Sequence, residues 1–180
     1  TMKIVACGVS GLIGKALAER LSAKYDLVLL TRNSSRVPIF KGARTVAWDP
    51  PKIGEWAREV DGAHAVINLS GEPIAGKRWT PSQKKELRES RLGTTKAIVD
   101  SMLLAKKKPS VLLNASAIGF YGARDAEPIG ETAAQGSGFL PGLCREWENE
   151  AMRASALGVR TVLLRTGIVM AREGGALAKM

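Results

Sequence analysis

Short runs of Val, Ile, Leu and Ala alternate along the chain with longer segments in which apolar residues return every three or four positions. An unbroken apolar run reads as a strand buried on both faces. The wider spacing reads as a helix with one apolar side. On this reading Lys3–Cys7 is a first strand, and Leu12, Ile13, Leu17 and Leu21 mark the inner face of a helix. Leu27–Leu30, Arg44–Trp48 and Ala65–Leu69 follow as strands. A long helix is predicted over Pro81–Ala105, with Pro81 in its first turn and Ile98, Val99, Met102 and Leu103 on its apolar side. Val111–Ser116 is a fifth strand, Pro141–Ala156 a further helix and Thr161–Leu164 a sixth strand. The stretch from Gly119 to Gly138, rich in Gly, Ala and acidic residues, is the one long loop, and no internal repeat is visible.

Strands of continuous apolar residues separated by helices predict an α/β fold, a parallel sheet covered on both sides. Right-handed crossovers then favour a doubly wound, Rossmann-type sheet in the order 3-2-1-4-5-6. The 180 residues are enough for one such domain.

The turn after the first strand reads Gly8-Val9-Ser10-Gly11-Leu12-Ile13-Gly14. Three glycines at this spacing serve a dinucleotide. One allows the tight turn, one lets the backbone approach the pyrophosphate, and one lets the helix pack against the strand. The helix that follows directs free N–H groups and its positive end at the phosphates. Gly8, Ser10, Gly11, Leu12, Ile13 and Gly14 are therefore candidate cofactor residues. An NAD binder carries an acidic residue at the end of the second strand to accept from the ribose 2′-hydroxyl. This chain has Thr31-Arg32-Asn33 there. A guanidinium grips a 2′-phosphate with two hydrogen bonds, and a carboxylate would repel it. Thr31 and Arg32 thus point to NADP(H), the alternative being a solvated arginine in a loop.

Composition narrows the remaining classes. The net charge of +10 favours anionic partners, but the basic residues are scattered and match no nucleic-acid motif. The densest run, Lys106-Lys107-Lys108, falls at a predicted helix C-terminus, where cations complement the dipole. Nucleic acid is not expected as a partner, nor is a membrane, since no apolar stretch is long enough to span one. The partners expected are a dinucleotide and an unknown small-molecule substrate. Cys7 and Cys144 stand far apart, with neither metal spacing nor a disulfide framework. His64 is the single histidine, which weakens metal sites and Ser-His-Asp chemistry. No secretory leader is seen ahead of the first strand. The expectation is a cytoplasmic location, or an organelle matrix or stroma where a presequence has been removed.

Several longer words resemble the extended, epimerase-like branch of the short-chain dehydrogenase/reductases, and within it the atypical "epimerase family protein" group. They are Val66-Ile67-Asn68-Leu69-Ser70-Gly71-Glu72-Pro73-Ile74, Arg78-Trp79-Thr80, Glu89-Ser90-Arg91, Ser116-Ala117-Ile118-Gly119-Phe120-Tyr121-Gly122, Cys144-Arg145-Glu146-Trp147-Glu148, Arg165-Thr166-Gly167-Ile168-Val169 and Gly174-Gly175-Ala176-Leu177. The resemblance implies that Leu69, Ser70 and Gly71 lie under the adenosine side of the cofactor. It also implies that Arg91, and Glu86 about a turn earlier, face the dinucleotide from the long helix. By spacing alone Arg91 is equally a surface partner of Glu86 or Glu89.

Active members of that superfamily use a Ser or Thr with a Tyr and a Lys four positions apart, the Lys tuning the phenol for proton transfer. Neither Tyr25 nor Tyr121 is followed by Lys at that spacing, and where the family places the pair the chain reads Phe139-Leu140-Pro141-Gly142-Leu143-Cys144. Ser116 and Tyr121 are the surviving candidate hydroxyls. For Ser116 alone, a strand-end cap or a cofactor hydrogen bond is the favoured reading. Cys144 reads as buried packing, for want of a base. The resemblance also implies that family members continue well past Met180, so that much of the substrate pocket would lie beyond this sequence. Two functions stay open: an NADP(H)-binding oxidoreductase or epimerase-like enzyme without the usual Tyr-Lys pair, and a non-catalytic NADPH sensor or structural protein acting through partners.

Overall fold

The computed structural model describes residues 1–176. Leu177, the last residue of the final quoted word, lies outside them. Six parallel strands form one sheet: β1 (Lys3–Cys7), β2 (Asp26–Thr31), β3 (Ala43–Ala47), β4 (Ala65–Asn68), β5 (Val111–Ala117) and β6 (Arg160–Thr166). Their order is β3-β2-β1-β4-β5-β6, the doubly wound order expected from the sequence. Three helices cover the sheet: α1 (Leu12–Ser22), α2 (Pro81–Leu104) and α3 (Phe139–Met152). A two-stranded hairpin, β7 (Met170–Ala171) with β8 (Gly174–Gly175), follows β6.

Alternation along the strands divides the core. Val5, Val28, Val66 and Leu112 point to one face, where they meet Ile98 and Met102 of α2 and Ala151 of α3. Ile4, Ala6, Leu27, Leu29 and Ile67 point to the other, against Ala18 and Leu17 of α1. Leu27, Leu29, Ile98, Met102 and Leu112 are fully buried, each contributing about 2 kcal/mol of transfer free energy. The edge strand β3 is largely exposed, and the other edge strand, β6, is only half-buried.

Helix ends explain most departures from the sequence reading. α2 starts where Thr80 accepts a hydrogen bond from the Gln83 N–H, with Pro81 next in line. α3 begins two residues earlier than expected, at Phe139. Its N-terminal neighbour Gly138 takes φ +102°, a conformation that L side chains rarely adopt. The regular helix also ends sooner, at Met152, and a 3₁₀ turn over Arg153–Leu157 replaces its expected last turn. The long loop is shorter than expected, because Ile118–Tyr121 winds into a 3₁₀ turn directly after β5.

A column of polar side chains crosses the core beneath the C-terminal ends of the strands. The Cys7 thiol donates to Asn68 Oδ1 at 3.2 Å. Asn68 Nδ2 donates to Asn114 Oδ1 at 2.7 Å and to Thr95 Oγ1 at 3.0 Å, and Trp147 Nε1 donates to Thr95 Oγ1 at 2.9 Å. Every member is buried, so these bonds replace water that the groups have lost. The column fixes β1, β4, β5, α2 and α3 relative to one another. Burial pushes the Cys7 thiol up to about 12.

Candidate functional site

The glycine loop occupies the C-terminal end of β1, and two of its glycines are required by the fold itself. Gly8 has φ +77°, and a Cβ there would stand 2.4 Å from the Leu69 carbonyl carbon and 2.7 Å from the Ser70 nitrogen. A Cβ on Gly14 would stand 2.5 Å from both the Gly8 carbonyl oxygen and the Val9 Cα. Gly11 differs. Its backbone is extended, and the nearest atom to an added Cβ is the Gly8 oxygen at 3.4 Å. The protein tolerates a side chain there, so the absence of one leaves open room for a ligand. α1 starts without a side-chain cap, which leaves its first-turn N–H groups for an anion. Ser10 and Ile13 are exposed at this mouth. Leu12 is half-buried, close to Gly174 of the hairpin.

Strand register assembles the rest. Cys7 pairs with Leu30 on one side and with Asn68 on the other. Thr31-Arg32 and Leu69-Ser70-Gly71 therefore leave the sheet on either side of Gly8. The Ser70 N–H is held by Asn68 Oδ1 at 3.1 Å, which shapes this turn. Arg32 is exposed and has no partner among the described residues. The Thr31 hydroxyl is not free to donate to a ligand, because it donates to the Asn33 carbonyl at 3.1 Å. The Ser35 hydroxyl is likewise engaged, donating to Asn33 Oδ1 at 2.6 Å.

Arg91 is not the surface partner of Glu86 or Glu89. Its guanidinium donates to the Leu87 carbonyl at 3.0 Å and to the Glu72 carbonyl at 3.0 Å, and it lies against Gly71. Burial lowers its pKa from the ordinary arginine value. Glu86 sits apart, exposed and paired with Lys77 at 3.3 Å. The structure thus brings Arg91 to the loop after β4 and leaves Glu86 in solvent.

Ser116 and Tyr121 meet at an ion pair that the sequence reading missed. Ser116 on β5 is in register with Arg165 on β6, so both side chains leave the same face of the sheet. Glu148 reaches them from α3. Ser116 Oγ donates to Glu148 Oε1 at 2.5 Å, and Arg165 grips the carboxylate through Nε and Nη2, each at 2.8 Å. Arg165 Nη1 donates to the Tyr121 oxygen at 2.8 Å and to the Glu131 carbonyl at 2.9 Å. Its guanidinium also stacks 3.7 Å from the centre of the Phe120 ring. Hydrogen bonding to Glu148 raises the Arg165 pKa above the ordinary value. Cys144 is buried one turn before Glu148, and burial first and then that carboxylate raise its thiol pKa. A carboxylate does stand near Cys144, but both influences keep the thiol protonated. Among the described residues no cluster of His, Cys, Asp and Glu could hold a metal, and no helix is long and apolar enough to cross a membrane.

A glycine loop at the N-terminus of α1, at the switch point between β1 and β4, is a dinucleotide site in geometry. The family model described as NAD dependent epimerase/dehydratase matches residues 4–175. The chain belongs to that family. It is 37% identical over 187 residues to an Arabidopsis thaliana protein described as "Epimerase family protein SDR39U1 homolog, chloroplastic", covering 99% of this chain and 52% of that one. An epimerase family protein of Mycobacterium leprae is 37% identical over 178 residues, with 98% and 56% covered. The fold matches a crystal structure of human epimerase family protein SDR39U1 with NADPH, at TM-score 0.81 and 27% identity, covering 99% of this chain and 58% of that one. It also matches a nucleoside-diphosphate sugar epimerase of Corynebacterium glutamicum, at TM-score 0.80 and 30% identity, covering 99% and 36%. The chain spans about half the length of the curated relatives it matches. In this sequence no tyrosine is followed by a lysine four positions on.

Proposed function

We propose that the chain binds NADP(H) and serves an oxidoreductase or epimerase-like reaction on a small molecule. The observation that carries this is Arg32, exposed at the end of β2 where an NAD binder needs a carboxylate, beside a loop whose Gly11 stands open. The NADPH in the human SDR39U1 structure supports the same cofactor here. The residues present fit it. Gly8, Ser10, Gly11, Leu12, Ile13 and Gly14 would cradle the pyrophosphate. Arg32 would grip the 2′-phosphate while Thr31 shapes the turn that carries it, and Leu69, Ser70, Gly71 and Arg91 would flank the adenosine half. Bound there, the nicotinamide would supply or accept hydride. The chain's own contribution would be to orient the reacting carbon with the Ser116 and Tyr121 hydroxyls.

A second reading has its own support. The Tyr-Lys pair is missing, and both surviving hydroxyls already bond to an ion pair. A binding protein that senses NADPH needs neither to be reactive. The two buried free cysteines suit a reducing compartment, the cytoplasm or an organelle matrix. Calorimetric titration with NADPH tests the shared claim. Saturable binding at one site is expected, and a folded chain that does not bind NADPH overturns both readings.

A further inference from the structure

The segment after β6 does not stay beside β6. Gly167, the first residue beyond the strand, lies against the end of β5, where an added Cβ would stand 3.9 Å from Ile118 Cδ1. Further on, a Cβ added to Gly174 would stand 3.5 and 3.7 Å from the two Leu12 methyl carbons, and one on Gly175 would stand 3.4 Å from Leu12 Cδ2. Leu12 opens α1, directly after Gly11. In the order β1-β4-β5-β6, strands about 4.8 Å apart set β6 about 14 Å from β1. The hairpin β7–β8 therefore comes back across the C-terminal ends of β5 and β4 to reach the glycine loop. Those ends border the crevice in which a doubly wound sheet holds its ligand.

The hairpin is lightly built. Met170 pairs with Gly175 and Ala171 with Gly174, and the Ala176 N–H donates to the Val169 carbonyl at 3.0 Å. So short a ladder is marginal by itself. Its large apolar side chains do not anchor it, since Ile168 is 75% and Met170 54% exposed. Leu12 is half-buried beneath it, while Gly11 and Ile13 on either side of Leu12 are exposed. The Gly174 backbone has no positive φ and so does not itself require glycine. The Leu12 side chain occupies the space that a Gly174 side chain would need.

We propose that the hairpin Met170–Gly175 is a strap across the dinucleotide crevice, latched by Leu12 on Gly174, and that it lifts for the cofactor to enter or leave. The proposal rests on the reading of the glycine loop as the NADP(H) site. A dinucleotide with its pyrophosphate at the N-terminus of α1 passes beneath the hairpin as it crosses the sheet ends. A segment of low local stability opens readily, and closing it over a bound ligand shuts the ligand away from solvent.

Arg172 is exposed at the turn of the hairpin and offers trypsin a cleavage site there. Lys107, exposed ahead of β5 at the opposite end of the sheet, serves as the internal reference. Saturating NADPH should slow cleavage after Arg172 about tenfold relative to cleavage after Lys107. Release of NADPH is timed by a stopped-flow chase with excess NADP⁺. Gly174→Val adds methyl groups where a Cβ already touches Leu12, and release should become about tenfold faster. Leu12→Ala should also speed release. The double variant Leu12→Ala/Gly174→Val replaces about the volume that the first substitution removes, so its release should return toward the wild-type rate. Residues that merely lie side by side would give additive effects. A double variant that releases NADPH at least as fast as the faster single variant overturns the latch. Calorimetry separates the strap from the site on which it rests. A protein that binds NADPH and leaves Arg172 cleavage unchanged overturns the strap alone, and a folded protein that does not bind NADPH overturns the cofactor site and the strap together.

Discussion

Arg165 holds Glu148 through two parallel hydrogen bonds of 2.8 Å, and it is the only bridge in the described residues from that buried carboxylate to the Tyr121 hydroxyl. The carboxylate is almost wholly buried and the guanidinium is one-fifth exposed. Removing one partner leaves the other charge stranded in a low dielectric, which costs more than the pair contributes. Arg165→Met should lose about 3 kcal/mol of unfolding free energy, near the lower end for buried pairs because Arg165 is partly wet. The double variant Arg165→Met/Glu148→Leu should recover much of it. Urea denaturation of the three variants checks this, and simple additivity of the two losses would mean that the residues do not act as a pair.

The glycine loop separates folding from binding. Gly8→Ala places a methyl group on the Leu69 carbonyl at a positive φ, and it should cost about 2 kcal/mol or more. A Cβ added at Gly11 meets only the Gly8 oxygen at contact distance, at an exposed position, so Gly11→Val should leave the melting temperature nearly unchanged. It should still abolish NADPH binding, because the branched side chain fills the space that a pyrophosphate needs. Thermal melts beside calorimetry distinguish the two effects. A Gly11→Val protein that melts normally and binds normally would remove the loop from the cofactor site.

Cys7 gives a pH signature. Its thiol moves from 9.0 in the open chain to about 12 in the fold, because burial disfavours the thiolate. The unfolded state therefore releases this proton first as pH rises. The stabilisation is fully present below pH 9 and is lost progressively between pH 9 and about 12. Lysines and tyrosines titrate in the same window, so the quantity to follow is the difference between wild type and Cys7→Ala. The wild type should lose stability faster than the variant across that window. Parallel curves would show that Cys7 does not ionise on unfolding.

The central strands were legible in the sequence because each holds an uninterrupted apolar run, and burial on both faces demands that pattern, whereas the exposed edge strand β3, Ala-Arg-Thr-Val-Ala, carries a weaker signal. The glycine loop was legible because Gly8 and Gly14 answer local steric needs. Glu148 and Arg165 were not. They are 17 positions apart and meet only because β6 returns beside β5. One local signal did exist. Glu148 lies on the buried side of α3 with Leu143, Cys144, Trp147 and Ala151, and a carboxylate on an apolar stripe requires a buried partner. Arg91 stayed open between two readings for the opposite reason. Spacing offered Glu86 and Glu89 as partners, while the turn after β4 offered backbone carbonyls that no periodicity reveals.

The cofactor assignment stands on Arg32, and the ratio of the NADPH and NADH dissociation constants tests it most directly. A charge-assisted bidentate contact to the 2′-phosphate contributes about 1.5–3 kcal/mol, or about a tenfold to a hundredfold preference for NADPH. Arg32 is exposed, so the lower part of that range is expected, shrinking as salt rises. Arg32→Ala should erase most of the preference while leaving NADH binding almost unchanged, since NADH has no phosphate there to lose. Equal affinity of the wild type for the two cofactors, or tighter binding of NADH, would contradict the assignment of NADP(H) to this site.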